Sequence, residues 1–214
     1  MTPDEYCQQK AVQSGSSFYY SFLFLPRPRR RAITALYAFC REVDDVVDEC
    51  TDTGVARTKL AWWRTETARI YAGGATHPVA QALAAVVTQF DLPEPLLHEI
   101  IDGMEMDLIQ HRYRNFEELK LYCHRVAGVV GLLSARIFGY TEERTLEYAE
   151  NLGFAFQLTN ILRDIKEDCE LGRTYLPAED LARFQVSESE LKDGLRSDRF
   201  GRLMEFELAR ARSY

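Results

Sequence analysis

Tyr37-Ala38-Phe39-Cys40-Arg41-Glu42-Val43-Asp44-Asp45-Val46-Val47-Asp48 is the stretch that decides the fold. Around it Ile33, Leu36, Cys40, Val43, Val47 and Cys50 recur at three- and four-residue spacing, the period of a helix with one buried face. Tyr37, Arg41, Asp44 and Asp48 make a second stripe at spacings of four, three and four. At about 100° per residue this stripe is centred roughly 100° round from the apolar one, so it flanks a core instead of opposing it. Residues placed there can line an internal cavity, while Asp45 points elsewhere.

A second acidic segment lies further along, Gln157-Leu158-Thr159-Asn160-Ile161-Leu162-Arg163-Asp164-Ile165-Lys166-Glu167-Asp168. Phe154, Leu158, Ile161 and Ile165 form its apolar stripe. Gln157, Asn160, Asp164 and Asp168 form a polar one about 90° round. Asn160, Asp164 and Asp168, at i, i+4 and i+8, put three oxygen ligands on one side of the helix. Like charges at this spacing repel, and more so at a core edge, where carboxylates lose solvent. A divalent cation removes that repulsion. Oxygen donors with no His or Cys on the stripe are hard ligands that favour magnesium over zinc. Two such helices facing each other would hold a diphosphate through metals. The competing reading, two solvated acidic faces, is weakened because each polar stripe borders an apolar one and each carries an arginine.

The rest of the chain reads as helix throughout. All seven prolines, at 3, 26, 28, 78, 93, 95 and 177, fall where helices start or stop. The spacing predicts helices over 3–13, 17–25, 29–50, 54–73, 78–90, 94–111, 115–138, 141–168 and 198–213, with a short one over 187–195. No linker divides two domains, so 1–214 is expected to be a single all-α domain. The 33 acids against 26 bases give a net charge of −7, which argues against a non-specific nucleic-acid binder. Five cysteines without a CxxC pair fit core thiols in a reduced, cytoplasmic protein. Residues 1–6 are acidic and polar, unlike a signal peptide. The apolar-aromatic run over 18–26 is too short to span a bilayer.

Five segments carry a resemblance: Ser16-Ser17-Phe18-Tyr19-Tyr20; Tyr37-Ala38-Phe39-Cys40-Arg41 with Asp44-Asp45-Val46-Val47-Asp48; Tyr122-Cys123-His124-Arg125-Val126-Ala127-Gly128-Val129-Val130-Gly131; the 157–168 stretch; and Gly172-Arg173-Thr174-Tyr175-Leu176-Pro177. Together they resemble the squalene/phytoene synthase family along essentially the whole chain. In finer detail the stretches 16–26 and 41–49 resemble presqualene diphosphate synthases of bacterial hopanoid pathways more than phytoene synthases. The resemblance implies an all-α isoprenoid synthase bundle with the two aspartate motifs on opposite walls of a central cavity. It implies magnesium, with manganese as a substitute, held by Asp44, Asp48, Asn160, Asp164 and Asp168. Arg41, Arg163 and Arg173 would contact diphosphate oxygens, Arg being suited to this by its planar fork of donors. Tyr37, Tyr122, Tyr175 and Gln157 would line the site, and Ser17 and Phe18 would close it. The resemblance implies Asp44, Asp48, Asp164, Asp168, Tyr37 and Tyr122 as the catalytic set.

The reaction so implied joins two farnesyl diphosphates head to head into presqualene diphosphate, releasing diphosphate without NADPH. Phytoene or dehydrosqualene synthesis is the alternative on the same fold. A terpene cyclase and a non-catalytic helical assembly factor are more distant ones. Family members continue by two or three helices beyond the point where this chain stops, so the chain is expected to lack C-terminal helices. Arg27 and Arg29, Arg30 and Arg31 read as a solvated turn, with attraction to anionic lipid at the inner membrane surface, and contact with pathway enzymes, as further expectations. Tyr37 and Tyr122, taken alone, read equally as core tyrosines. Gly128 and Gly131 most simply allow close helix packing and also leave room for a prenyl chain. Asp102 and Asp107 resemble a family helix facing the cavity, with no metal role assigned.

Overall fold

Polar side chains at the ends of the apolar-periodic runs set where helices begin. Thr2 accepts from the Glu5 amide while Glu5 reaches back to the Thr2 amide, closing a capping box on α1 (Pro3–Gln13). Ser16 caps α2 (Ser17–Phe22), and Pro26 precedes α3 (Arg27–Glu49). Asp52 accepts from the Gly54 and Val55 amides at the start of α4 (Thr53–Ala72), and His77 caps α5 (Pro78–Ala84). The predicted helix over 78–90 therefore ends early. Turns follow as far as Asp91, whose φ of 49° lies in the left-handed region that Asp tolerates better than most residues. Next come α6 (Glu94–Ile109) and α7 (Phe116–Cys123), which is capped by Asn115. A π turn over His124–Gly128 then leads into α8 (Val129–Phe138).

The remaining elements are α9 (Arg144–Arg163), α10 (Ile165–Glu170), α11 (Ala178–Phe184), α12 (Glu188–Lys192) and α13 (Asp198–Arg212). The computed structural model describes residues 1–194 and 196–214. Residue 195, at the end of the short helix predicted over 187–195, lies outside them. Among the described residues there is no strand, only one isolated parallel bridge between Arg112 and Thr174.

Two compact units emerge. One comprises Met1–Leu108 and Leu133–Glu143, the other Ile109–Leu132 and Arg144–Tyr214. In the first, α3 packs against α1, α4 and α5. Ile33, Leu36, Phe39, Val43 and Val47 are buried there, as the apolar stripe requires. In the second, α9 packs on the π turn and on α13, and α10 on α12. Arg210 of α13 ties Asp180 of α11 to Glu207 at 2.8 and 2.7 Å, and burial pushes the Glu207 carboxyl up to about 7.

Glycine lets α9 approach the π turn and the start of α8. A Cβ on Gly131 would sit 2.2 Å from the Ala149 carbonyl oxygen, and one on Gly153 would sit 2.5 Å from that of Ala127. The space at Gly131 is therefore filled by backbone, which settles that position in favour of close packing over room for a prenyl chain. The run Phe116–Phe138 is long and apolar enough to cross a membrane by length and composition. All five cysteines are free thiols, and burial pushes Cys7, Cys40 and Cys123 up to about 12, well out of the reactive range.

Candidate functional site

On α3 the predicted polar stripe is present and organised by one arginine. Arg41 donates through Nη1 to Asp44 and through Nη2 to Asp45 at 2.8 Å. Asp45 also accepts from Lys10 of α1 at 2.7 Å. Asp45 thus turns toward α1, but the guanidinium spans both aspartates, so it is not as separate from the stripe as the helical angle implies. A long forked side chain reaches farther round a helix than its Cβ direction suggests. Asp44 is part-buried and Asp48 exposed. Burial pushes the Asp44 carboxyl up to about 6; Arg41 opposes this, and Asp48, Asp45 and Asp107 add to it. Tyr37 lies one turn before Arg41, donates to Ser14 Oγ at 2.9 Å and meets Phe22 edge-on at 5.8 Å. Ser17 and Phe18, in the same unit on α2, are exposed.

Asp102 and Glu105 on α6 are both held by Arg64 of α4. Asp107, on the next turn of α6, is buried and belongs to the negative surroundings of Asp44.

The second motif departs from expectation. The helix predicted over 141–168 breaks at Asp164, whose φ of −101° and ψ of 11° leave the helical well. Asn160, Asp164 and Asp168 therefore do not share one uninterrupted helical face. Asn160 lies on α9, Asp164 at the joint and Asp168 on α10. Asp164 occupies the N-cap position of α10 but makes no side-chain cap bond. Its carboxylate is taken by the preceding residue: Arg163 Nε and Nη2 both donate to it at 2.6 Å. Adjacent side chains diverge on a regular helix, so this two-pronged pair belongs with the bend. Arg163 is exposed, whereas Gln157, Asn160 and Asp168 are part-buried.

Beside this motif the backbone over 111–114 pairs with 174–179. Thr174 donates to the His111 carbonyl and Ala178 to that of Tyr113, each at 2.9 Å. The pairing brings three tyrosines into one buried stack. Tyr122 and Tyr175 lie at 5.1 Å with a 26° tilt, and Tyr113 lies 5.7 and 5.9 Å from them. The Tyr122 hydroxyl donates to that of Tyr175 at 3.4 Å. Asp168, Arg173 and Tyr175 line one narrow crevice with Ile161 and Ile165. Tyr113 escaped the sequence reading because it sits in a loop, outside any periodic stripe.

The donor chemistry suits a hard divalent cation. Each motif offers oxygen ligands, and Asp44 stands among more carboxylates than Arg41 alone balances. Among the described residues no three His, Cys, Asp or Glu side chains converge into a closed cage. A cation at either motif would complete its shell with water and diphosphate oxygens, which magnesium accepts readily.

Residues 11–214 match the squalene/phytoene synthase family. The chain belongs to that family. It is 41% identical over 222 residues to 15-cis-phytoene synthase of Synechocystis sp., a match covering 98% of this chain and 66% of that protein. The chain thus spans just under two thirds of that relative's length. In three dimensions it resembles the squalene synthase HpnC from Alicyclobacillus acidocaldarius, with a TM-score of 0.90 and 31% identity over 99% of this chain and 80% of that one. A dehydrosqualene synthase solved with a ligand gives 0.89 and 30%, covering 99% and 74%. The all-α fold is accordingly that of the isoprenoid synthases, and the family is one of prenyltransferase-type enzymes.

Proposed function

We propose that this chain works in the head-to-head joining of two prenyl diphosphates, and that its product is phytoene, formed from geranylgeranyl diphosphate. The carrying observation is the 41% identity to a phytoene synthase over 98% of the chain, against 31% to HpnC. This reverses the order expected from the sequence, which placed presqualene diphosphate from farnesyl diphosphate first. That expectation rests on two short segments, whereas the identity to the phytoene synthase runs over 98% of the chain.

In this reading Asp44 and Asp48, and Asn160, Asp164 and Asp168, would hold magnesium, with manganese as a substitute. When bound, the metal would supply positive charge to a departing diphosphate. Arg41, Arg163 and Arg173 present forked donors to the diphosphate oxygens. The departing group takes the bonding electron pair and leaves an allylic cation. The double bond of the second substrate attacks that cation, and loss of a proton closes a cyclopropane. A second ionisation, rearrangement and proton loss complete the sequence. Two diphosphates and two protons leave, so no reductant is needed. Tyr175 lines the crevice beside Asp168 and Arg173, and its hydroxyl meets that of Tyr122; a hydroxyl there can take up a proton or steer the released diphosphate.

The test is product analysis by mass spectrometry after incubating the protein with magnesium and either geranylgeranyl or farnesyl diphosphate, with and without NADPH. Phytoene from the longer substrate, unaffected by NADPH, is expected. Presqualene diphosphate from farnesyl diphosphate, with little turnover of the longer substrate, would restore the first ordering. The likeness to HpnC is what keeps that outcome in the design.

A further inference from the structure

The charge along this chain is unevenly placed. The chain carries 33 acidic residues, yet none occurs between Glu5 and Glu42. Within that acid-free run Arg27, Arg29, Arg30 and Arg31 follow directly on Phe22-Leu23-Phe24-Leu25-Pro26. The apolar side chains ahead of the arginines are turned outward. Phe24 is 91% exposed, Tyr20 65% and Leu23 41%. The segment is not loose, because Phe22 is buried and packs edge-on against Tyr37 of α3.

The arginines divide by what holds them. Arg31 pairs with Asp4 at 2.8 Å, and Arg30 donates to the Leu25 carbonyl at 3.0 Å. Arg27 and Arg29 are exposed and form no ion pair among the described residues. A cavity of about 270 Å³ opens beside Arg27, lined by Tyr19, Phe22 and Leu23, by Arg27, Arg30 and Arg31, and by Asp4, which neutralises Arg31.

We infer that residues 20–31 form a docking surface for an anionic lipid bilayer. Tyr20, Leu23 and Phe24 enter the headgroup–acyl boundary. Arg27 and Arg29 meet lipid phosphates, and the cavity accepts a headgroup. Three observations converge on this occupant. Exposed aromatic and aliphatic side chains together are the usual content of an interfacial segment. Free cations beside them match the negative surface potential of an anionic leaflet. The basic cluster lies in an acid-free run of an otherwise acidic chain, and of its four arginines only Arg31 is paired with an acid, Asp4, among the described residues. A neutral protein partner would use the apolar residues but leave those unpaired charges unexplained.

The test is flotation of the whole chain with vesicles of phosphatidylcholine alone or with phosphatidylglycerol. Binding to the anionic vesicles, weakened by salt, is expected. At low salt Arg27→Ala with Arg29→Ala should lower the partition coefficient roughly 30-fold, from about fivefold per removed charge. Phe24→Ser should lower it on its own. Fluorescence of a Phe24→Trp variant should be quenched by brominated acyl chains beyond the quenching of the two native tryptophans. A circular-dichroism melt of each variant separates lost docking from lost fold, and Leu23→Ser replaces any variant that melts early. Equal binding to neutral and anionic vesicles, or binding unchanged by these substitutions, would overturn the inference. So would tight capture of inorganic phosphate without vesicle binding. Concentration-dependent self-association abolished by Phe24→Ser, again without vesicle binding, would assign the face to a protein contact and equally overturn it.

Discussion

The two acidic motifs use the same residue types and are built differently. On α3 an unbroken, half-buried helix carries Arg41, Asp44, Asp45 and Asp48, and one guanidinium links two carboxylates. At the joint of α9 and α10 the helix bends at the aspartate itself, and an exposed Arg163 clasps only its neighbour. The supports differ too. α3 sits in its unit on large aliphatic and aromatic side chains such as Leu36 and Phe39, whereas α9 lies against the π turn through glycine. Asp44 on α3 is part-buried beside an exposed Asp48, and Asn160, Asp164 and Asp168 at the bend are part-buried. If both motifs hold ligands, the α3 motif is expected to be the more rigid and the bent motif the more adaptable.

The largest expected effect lies at the aspartates. Asp44→Ala and Asp164→Ala should each reduce magnesium-dependent diphosphate release by about a thousandfold or more, the scale at which a lost charge-stabilising contact slows a reaction. Asp45→Ala should cost about tenfold or less, because Lys10 and Arg41, not a ligand, occupy its carboxylate. If Asp45→Ala is the most damaging of the three, Asp44 is not the ligand on α3. Magnesium with inorganic diphosphate should also raise the melting temperature of the unsubstituted chain, since a ligand of the folded form stabilises it, and both Ala variants at the ligand positions should lose that rise.

The arginines sharpen the comparison. Lysine keeps the charge but cannot present a planar fork to two carboxylates. Arg41→Lys should therefore lower kcat/KM about a hundredfold, and Arg163→Lys only about tenfold, since one exposed pair at the joint is worth little by itself. The reverse ranking in a diphosphate-release assay would make the bent motif the rigid one.

How legible each motif was in the sequence follows from the same contrast. The α3 stripe was readable because a continuous helix turns residue spacing directly into angle. The break at Asp164 was not, because Phe154, Leu158, Ile161 and Ile165 keep their helical spacing across it, and apolar spacing does not record a single ψ. The Asp45–Arg41 contact was hidden for a related reason: a Cβ direction says nothing of how far a guanidinium reaches. Helix α11 has no counterpart among the predicted helices: Pro177 marks only that a helix starts or stops there, and the seven residues that follow are too short a run to show a periodic stripe. Tyr113 joins the aromatic stack through backbone pairing between segments some 60 residues apart, which no local pattern announces.

The smallest effect asks whether backbone contact holds the second motif. A Cβ at Gly153 meets Ala127 O at 2.5 Å and Gly128 Cα at 3.0 Å, all backbone atoms that cannot swing aside. Gly153→Ala must therefore push α9 off the π turn, at a cost of about 1–3 kcal/mol. Gly131→Ala meets the Ala149 carbonyl and should behave alike. Gly201 on α13 is the control: nothing lies within 4 Å of its added Cβ, so Gly201→Ala should gain up to about 1 kcal/mol from helix propensity. In a chain of this size these changes move the melting temperature by about 2–4 °C per kcal/mol, downward for the first pair and upward for the control. Because Asn160 and Arg163 ride on α9, Gly153→Ala should also weaken the stabilisation by magnesium and diphosphate, which Gly201→Ala should leave intact. If Gly153→Ala melts like Gly201→Ala, α9 does not depend on that close approach, and the contrast between a side-chain-packed motif and a backbone-packed one fails at its structural root.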